Sequence, residues 1–177
     1  MNLVEKAYIF ATAAHAAVGQ KRKYTGEPYI HHPVEVCNLI EKSTFVNDEM
    51  RAAALLHDVV EDTEVSLELI EKEFGNCVAT LVEGLTDVSK PKDGNRAKRK
   101  EIDRQHTAKQ SAACKTIKLA DLISNSKSIL QHDRDFARVY LKEKKALLEI
   151  LTEGDTYLWL QANQIVKEGL KELEENL

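Results

Sequence analysis

The chain has 177 residues, 43% hydrophobic and 31% charged, which is enough for a folded core and too apolar for a disordered polymer. Its net charge of −4 argues against general binding to nucleic acid through phosphate attraction. No uncharged run approaches the ~20 residues that span a bilayer, which argues against a membrane protein, and Glu5 and Lys6 interrupt any apolar leader over Met1 to Phe10.

Only seven Gly and three Pro occur, among long stretches rich in Ala, Leu, Glu and Lys, so an all-α fold is expected, with no strand pattern. Asn2 and Glu5 form a capping box for a first helix that ends near Val18-Gly19. A polar loop runs from Gln20 to Tyr29, and Pro33 fits the first turn of a second helix extending to about Lys42. Asn47 caps a third helix, Asp48 to about Asp62, and Ser66 caps a fourth that closes at Phe74-Gly75. A fifth covers Asn76 to about Thr86, with Val78, Leu81, Val82 and Leu85 at helical spacing.

Lys90 to Gly94 reads as a loop and Asn95 to Gln110 as a basic segment able to form a helix. From Lys90 to Arg104 seven Lys or Arg face three acids, a source of positive charge for an anionic substrate. Ala112 to about Ile129 is a buried helix, followed by long amphipathic helices Arg134 to Leu151 and Asp155 to about Leu173. Without repeats or linkers, residues 1–177 are expected to form one domain. Cys37, Cys77 and Cys114 contain no CxxC pair and are expected to be small core residues in a reducing, cytoplasmic setting. Trp159 and Tyr157 are expected in the core or at a subunit contact, and assembly into a homo-oligomer stays open.

The chemistry concentrates in His57-Asp58-Val59-Val60-Glu61-Asp62-Thr63, one His and three carboxylates directly after the apolar stretch Ala52 to Leu56. Acids crowded against apolar surface repel one another unless protons or a cation neutralise them. On a continuous helix, His57 and Glu61 would share a face with Asp58 and Asp62 beside them. With His32 and Asp121, the run offers two imidazoles and two carboxylates, a donor set that suits manganese, iron, cobalt or zinc. Such a site can activate water and polarise a phosphoryl group. His15, set among alanines, reads as a core or wall histidine, His31 as a loop residue, and His106 and His132 as surface residues.

His32, His57-Asp58 and Asp121 resemble the H…HD…D pattern of the HD-domain phosphohydrolases. The flanking residues narrow this resemblance. Ala14-His15, Gln20 to Lys23, Gly26 to Pro33, Leu55 to Thr63 and Ile117 to Asn125 are similar, in order and separation, to the signatures of the RelA/SpoT hydrolase domain. That resemblance covers about residues 7 to 150 and implies a helical bundle of about eight to ten helices. It implies hydrolysis of the 3′-pyrophosphate of ppGpp and pppGpp with one divalent metal, usually manganese. Because no synthetase region follows before Leu177, a stand-alone small alarmone hydrolase is expected.

Carried over residue by residue, the resemblance makes His32, His57, Asp58 and Asp121 the metal ligands. Glu61 and Asp62 become the acidic pair that orients and deprotonates water, and Asn125 a contact near the scissile group. Arg22 and Lys23 flank the nucleotide base, and Tyr140 packs on the nucleotide. Leu122 and Ser124 depart from the family's third motif, and the Lys90 to Gln110 insert differs from the large enzymes. Other substrates therefore stay open, such as an adenosine alarmone or the 2′-phosphate of NADPH, as does a nucleotide-binding regulator without turnover.

Overall fold

Ten α-helices and one short 3-10 turn, with no β-strand, make up residues 1–175, which the computed structural model describes. This agrees with the all-α expectation. The helices divide into two compact units, Met1–Asp87 and Val88 onward.

In the first unit, α1 (Leu3–Ala17), α2 (His31–Ile40), α5 (Leu67–Phe74) and α6 (Asn76–Leu85) accompany a central α3 (Asp48–Leu56) and a four-residue α4 (Val59–Asp62). Helix α3 packs against α1, α2 and α6. Its composition explains this position. Met50 and Ala52 to Leu56 are all buried, and three successive alanines let neighbouring backbones approach from several sides. Arg51 reaches out to Glu41, with two contacts of 2.6 and 3.1 Å, and to Asp48 at 2.8 Å. The caps fall where expected: the Asn2 side chain accepts from the Glu5 N–H, Asn47 from Met50 and Ser66 from Leu69.

Two boundaries differ from the sequence reading. The second helix begins at His31, two residues before Pro33. The ring still sits in the first turn, where a missing N–H costs nothing. More consequentially, the expected helix Asp48 to Asp62 breaks after Leu56 and resumes at Val59. His57 supplies the cause, because its Nδ1 bonds the Ala54 carbonyl at 2.7 Å. That oxygen would otherwise take the next helical N–H, so the side chain competes with the backbone ladder.

In the second unit, a 3-10 turn (Pro91–Asp93) leads into α7 (Arg96–Ala108), α8 (Ala112–His132), α9 (Arg134–Leu148) and α10 (Thr156–Glu175). The basic insert is thus mostly helical, capped by Asn95. Helix α8 packs against α9 and α10, which also pack on each other. The loop before α10 comes close to α8. A Cβ at Gly154 would lie 2.8 Å from Leu119 Cδ1 and 3.1 Å from the Lys115 backbone carbon, so no larger residue fits. Buried Lys115 pairs with Glu153 beside it.

Asp103, also buried, accepts from the Val88 and Ser89 N–H groups at 3.1 and 2.8 Å and from the Ser89 hydroxyl at 2.9 Å. The cysteines correct one expectation. Cys114 is buried and Cys37 partly so, and desolvation pushes both thiols up to about 11, but Cys77 is exposed. Cys77 is the second residue of α6, and only the packed face of that helix, Val78, Ala79, Val82 and Leu85, turns inward. Trp159 is half-buried and its indole N–H donates to the Leu148 carbonyl at 3.0 Å, whereas Tyr157 is exposed.

Candidate metal centre and active site

The helix break places the His57 and Asp58 side chains side by side rather than successively around a helix. His57 Nε2 lies 3.0 Å from Asp58 Oδ2, and His32 Nε2, from α2, lies 3.6 Å from the same oxygen. Donor atoms of His32, His57 and Asp58 all fall within 4.8 Å of one another. Both histidines are buried, and their rings meet edge to face at 5.1 Å.

The donor chemistry fits a cation. His57 must donate its Nδ1–H to the Ala54 carbonyl, because a carbonyl only accepts. Its Nε2 then presents a lone pair to a carboxylate oxygen, and two acceptors at that separation require a proton or a metal between them. The bond to Ala54 is the kind of outer support that fixes a ligating imidazole's tautomer and direction. His32, His57 and Asp58 can therefore hold a metal ion.

Tyr29, from the loop before α2, donates its hydroxyl to Asp58 Oδ2 at 2.6 Å. Its ring packs against His15 and His32, with centroids 4.7 and 5.8 Å away. An isolated antiparallel bridge between Lys21 and Pro28 closes this loop, and Gly26 turns it with φ of 70°, a left-handed conformation that a side chain would strain. The bridge holds Arg22 and Lys23 on the loop's tip. Arg22 lies 6.0 Å from the Tyr29 ring, and Lys23 lies over Tyr24 at 4.8 Å.

Past the break, Glu61 and Asp62 both point to the surface of α4. Glu61 Oε2 accepts from the Asp87 N–H at 3.1 Å. Asp62 Oδ2 accepts from the Gln20 amide at 2.8 Å. Although Asp62 is exposed as a residue, its carboxyl is crowded by protein. Desolvation and then the charge of Asp58 raise its pKa above the usual carboxylate value, against the lowering effect of the Gln20 hydrogen bond.

Three expected site residues lie in the second unit. Asp121 is buried in α8, accepting from Asn125 Nδ2 at 2.6 Å, with Lys118 Nζ 3.7 Å from its other oxygen. Tyr140, in α9, is almost wholly covered, packed on Phe136 at 5.9 Å and under Lys144 at 4.8 Å. The sequence reading gave no role to Tyr29 or Gln20, yet both contact the carboxylates of the His-Asp run. Their signal was their place inside the first signature, next to residues already marked as functional.

A family model described as an HD domain matches residues 7–145. The guanosine-3′,5′-bis(diphosphate) 3′-pyrophosphohydrolase of Danio rerio is 34% identical over 134 residues, which cover 73% of this chain and 73% of that protein. A probable guanosine-3′,5′-bis(diphosphate) 3′-pyrophosphohydrolase of Synechocystis is 49% identical over 88 residues, covering 50% of this chain but only 11% of that longer protein. Among solved structures, a metazoan ortholog of SpoT that hydrolyzes ppGpp superimposes with a TM-score of 0.82 at 30% identity, covering 96% of this chain and 97% of that one.

Proposed function

This chain belongs to the HD domain family, and we propose that within it the protein hydrolyses the 3′-pyrophosphate of ppGpp and pppGpp, releasing GDP or GTP and pyrophosphate. The observation that carries the proposal is the convergence of His32, His57 and Asp58 beside two further carboxylates, in a chain related to named ppGpp hydrolases. The family model runs through the boundary after Asp87, which supports reading residues 1–177 as one hydrolase domain.

His32, His57 and Asp58 would hold one divalent cation, for which we propose manganese. Asp121 joins them as the proposed fourth ligand on its motif. When bound, the ion supplies a polarised phosphoryl oxygen and an acidified water. The remaining work falls to side chains. Glu61 and Asp62 orient the attacking water and take up its proton. Arg22 and Lys23 face the base and Asn125 contacts the nucleotide by their motif matches, and Tyr140, on the helix after the third motif, is the proposed packing partner of the nucleotide. No helix among the described residues is long and apolar enough to cross a membrane, and a cytoplasmic site of action belongs to the same proposal.

Manganese-reconstituted protein is expected to convert ppGpp to GDP and pyrophosphate. Asp58→Ala should lose both metal and turnover, whereas Glu61→Ala should keep metal and lose rate. Absence of pyrophosphate release, together with dephosphorylation of NADPH or another nucleotide, would overturn the guanosine assignment. ppGpp binding without any turnover would make the protein a regulator.

A further inference from the structure

His15 and Gln20 connect a buried imidazole to one of the exposed acids of the site. His15 closes α1 and is 1% exposed, with Nδ1 2.7 Å from Gln20 Oε1. Gln20 Nε2 then donates to Asp62 Oδ2 at 2.8 Å. The direction of both bonds is fixed by chemistry. An ionised carboxylate only accepts, so the amide must turn its NH2 toward Asp62 and its carbonyl toward the ring. The carbonyl in turn requires a proton on His15 Nδ1. His15 Nε2 is then a bare acceptor, in accord with its lack of any hydrogen-bond partner among the described residues.

A cavity of about 260 Å3 opens beside His15, Gln20 and Tyr29. Helix α4 is only four residues long, with Asp62 as its last, so the backbone constrains that side chain weakly. The Asp62 carboxylate takes its side-chain hydrogen bond from Gln20.

We propose that His15 and Gln20 are positioning residues: the Nδ1–H tautomer of His15 aims the Gln20 amide, and the amide aims the Asp62 carboxylate at its water. The catalytic consequence rests on the role of Asp62 proposed above. The arrangement of the three side chains does not.

Gln20→Met keeps length and removes both hydrogen bonds. In manganese-loaded protein it is expected to lower kcat for ppGpp about a hundredfold, the usual effect of a small misplacement, with KM little changed. His15→Asn, which can place an amide N–H near the original Nδ1, should retain most of kcat, whereas His15→Leu should not. If the relay acts through Asp62, Gln20→Met should cost little more once Asp62→Asn is present. Unchanged kcat in Gln20→Met, or full multiplication of the two effects, would overturn the proposal.

A second readout needs no turnover. Nitrogen-15 shifts of the His15 ring should report protonated Nδ1 and bare Nε2 in the wild-type protein, and a shift toward protonated Nε2 in Gln20→Met. An Nε2–H ring in the wild type would overturn the relay even if ppGpp is hydrolysed. An Nδ1–H ring that responds to Gln20→Met, in protein that does not hydrolyse ppGpp, would uphold the arrangement and count against the functional reading alone.

Discussion

Removing one hydroxyl tests the metal centre most directly. Tyr29→Phe keeps the ring that packs on His15 and His32 and deletes only the hydroxyl 2.6 Å from Asp58 Oδ2. That short O–H···O bond holds the one carboxylate oxygen that both imidazoles approach, at 3.0 and 3.6 Å. Asp58 stands in a helix break, so the surrounding ladder does little to fix its rotamer. A hydrogen bond to a charged group contributes about 1.5–3 kcal/mol. At about 1.4 kcal/mol per tenfold, its loss should weaken metal binding roughly 10- to 150-fold. Loss of an outer partner of a metal ligand commonly costs about 10- to 100-fold, which agrees.

Two effects oppose each other here. Without the donor, the carboxylate becomes more basic and binds a cation more strongly, but it also becomes free to turn away. Orientation should prevail, because Asp58 is partly exposed and water replaces much of the lost donor. Competition against a chromophoric chelator measures manganese affinity, and the thermal midpoint checks that the fold is intact. Manganese affinity within about twofold of wild type, or tighter, with the midpoint unchanged, would refute the orienting role of Tyr29.

Asp103→Ala strips acceptors from two backbone N–H groups and one hydroxyl at the start of the second unit. It should cost about 3 kcal/mol, or roughly 6–12 °C in thermal midpoint. Asp103→Asn retains one acceptor oxygen and should cost less than half as much; a midpoint for the Ala variant within about 2 °C of wild type would exclude this anchoring role. Burial holds the His15 pKa below its ordinary 6.5, against the raising effects of Gln20, Asp58 and Asp62. The unfolded chain therefore takes up the proton first. This histidine's contribution to stability is complete above pH 6.5 and declines as pH falls toward its folded pKa. Urea midpoints of metal-free protein should consequently fall less between pH 7.5 and pH 5 in His15→Asn than in wild type; parallel losses would contradict this.

Much of the helical framework was legible because its signals are local. Asn2, Asn47 and Ser66 cap helices through side-chain bonds spanning three residues, and the apolar spacing of Asn76 to Thr86 marks its buried face directly. The break at His57 was not legible. Whether a histidine side chain or a backbone N–H captures the Ala54 carbonyl depends on where the rest of the fold directs the ring. Helical periodicity alone had placed His57 and Glu61 one turn apart on a single continuous helix, which the break divides in two.

The HD run by itself determined the kind of chemistry, since a histidine and three carboxylates beside apolar residues need a cation or protons. Tertiary structure decided which groups share that charge. His32 arrives from α2, Tyr29 from a bridged loop, and His15 and Gln20 from either side of the end of α1, all of them too far from Asp58 in sequence for local geometry to place. Hydrogen bonds act over about 3 Å, and only the packing of α1, α2 and α3 brings residues so far apart in sequence within that range.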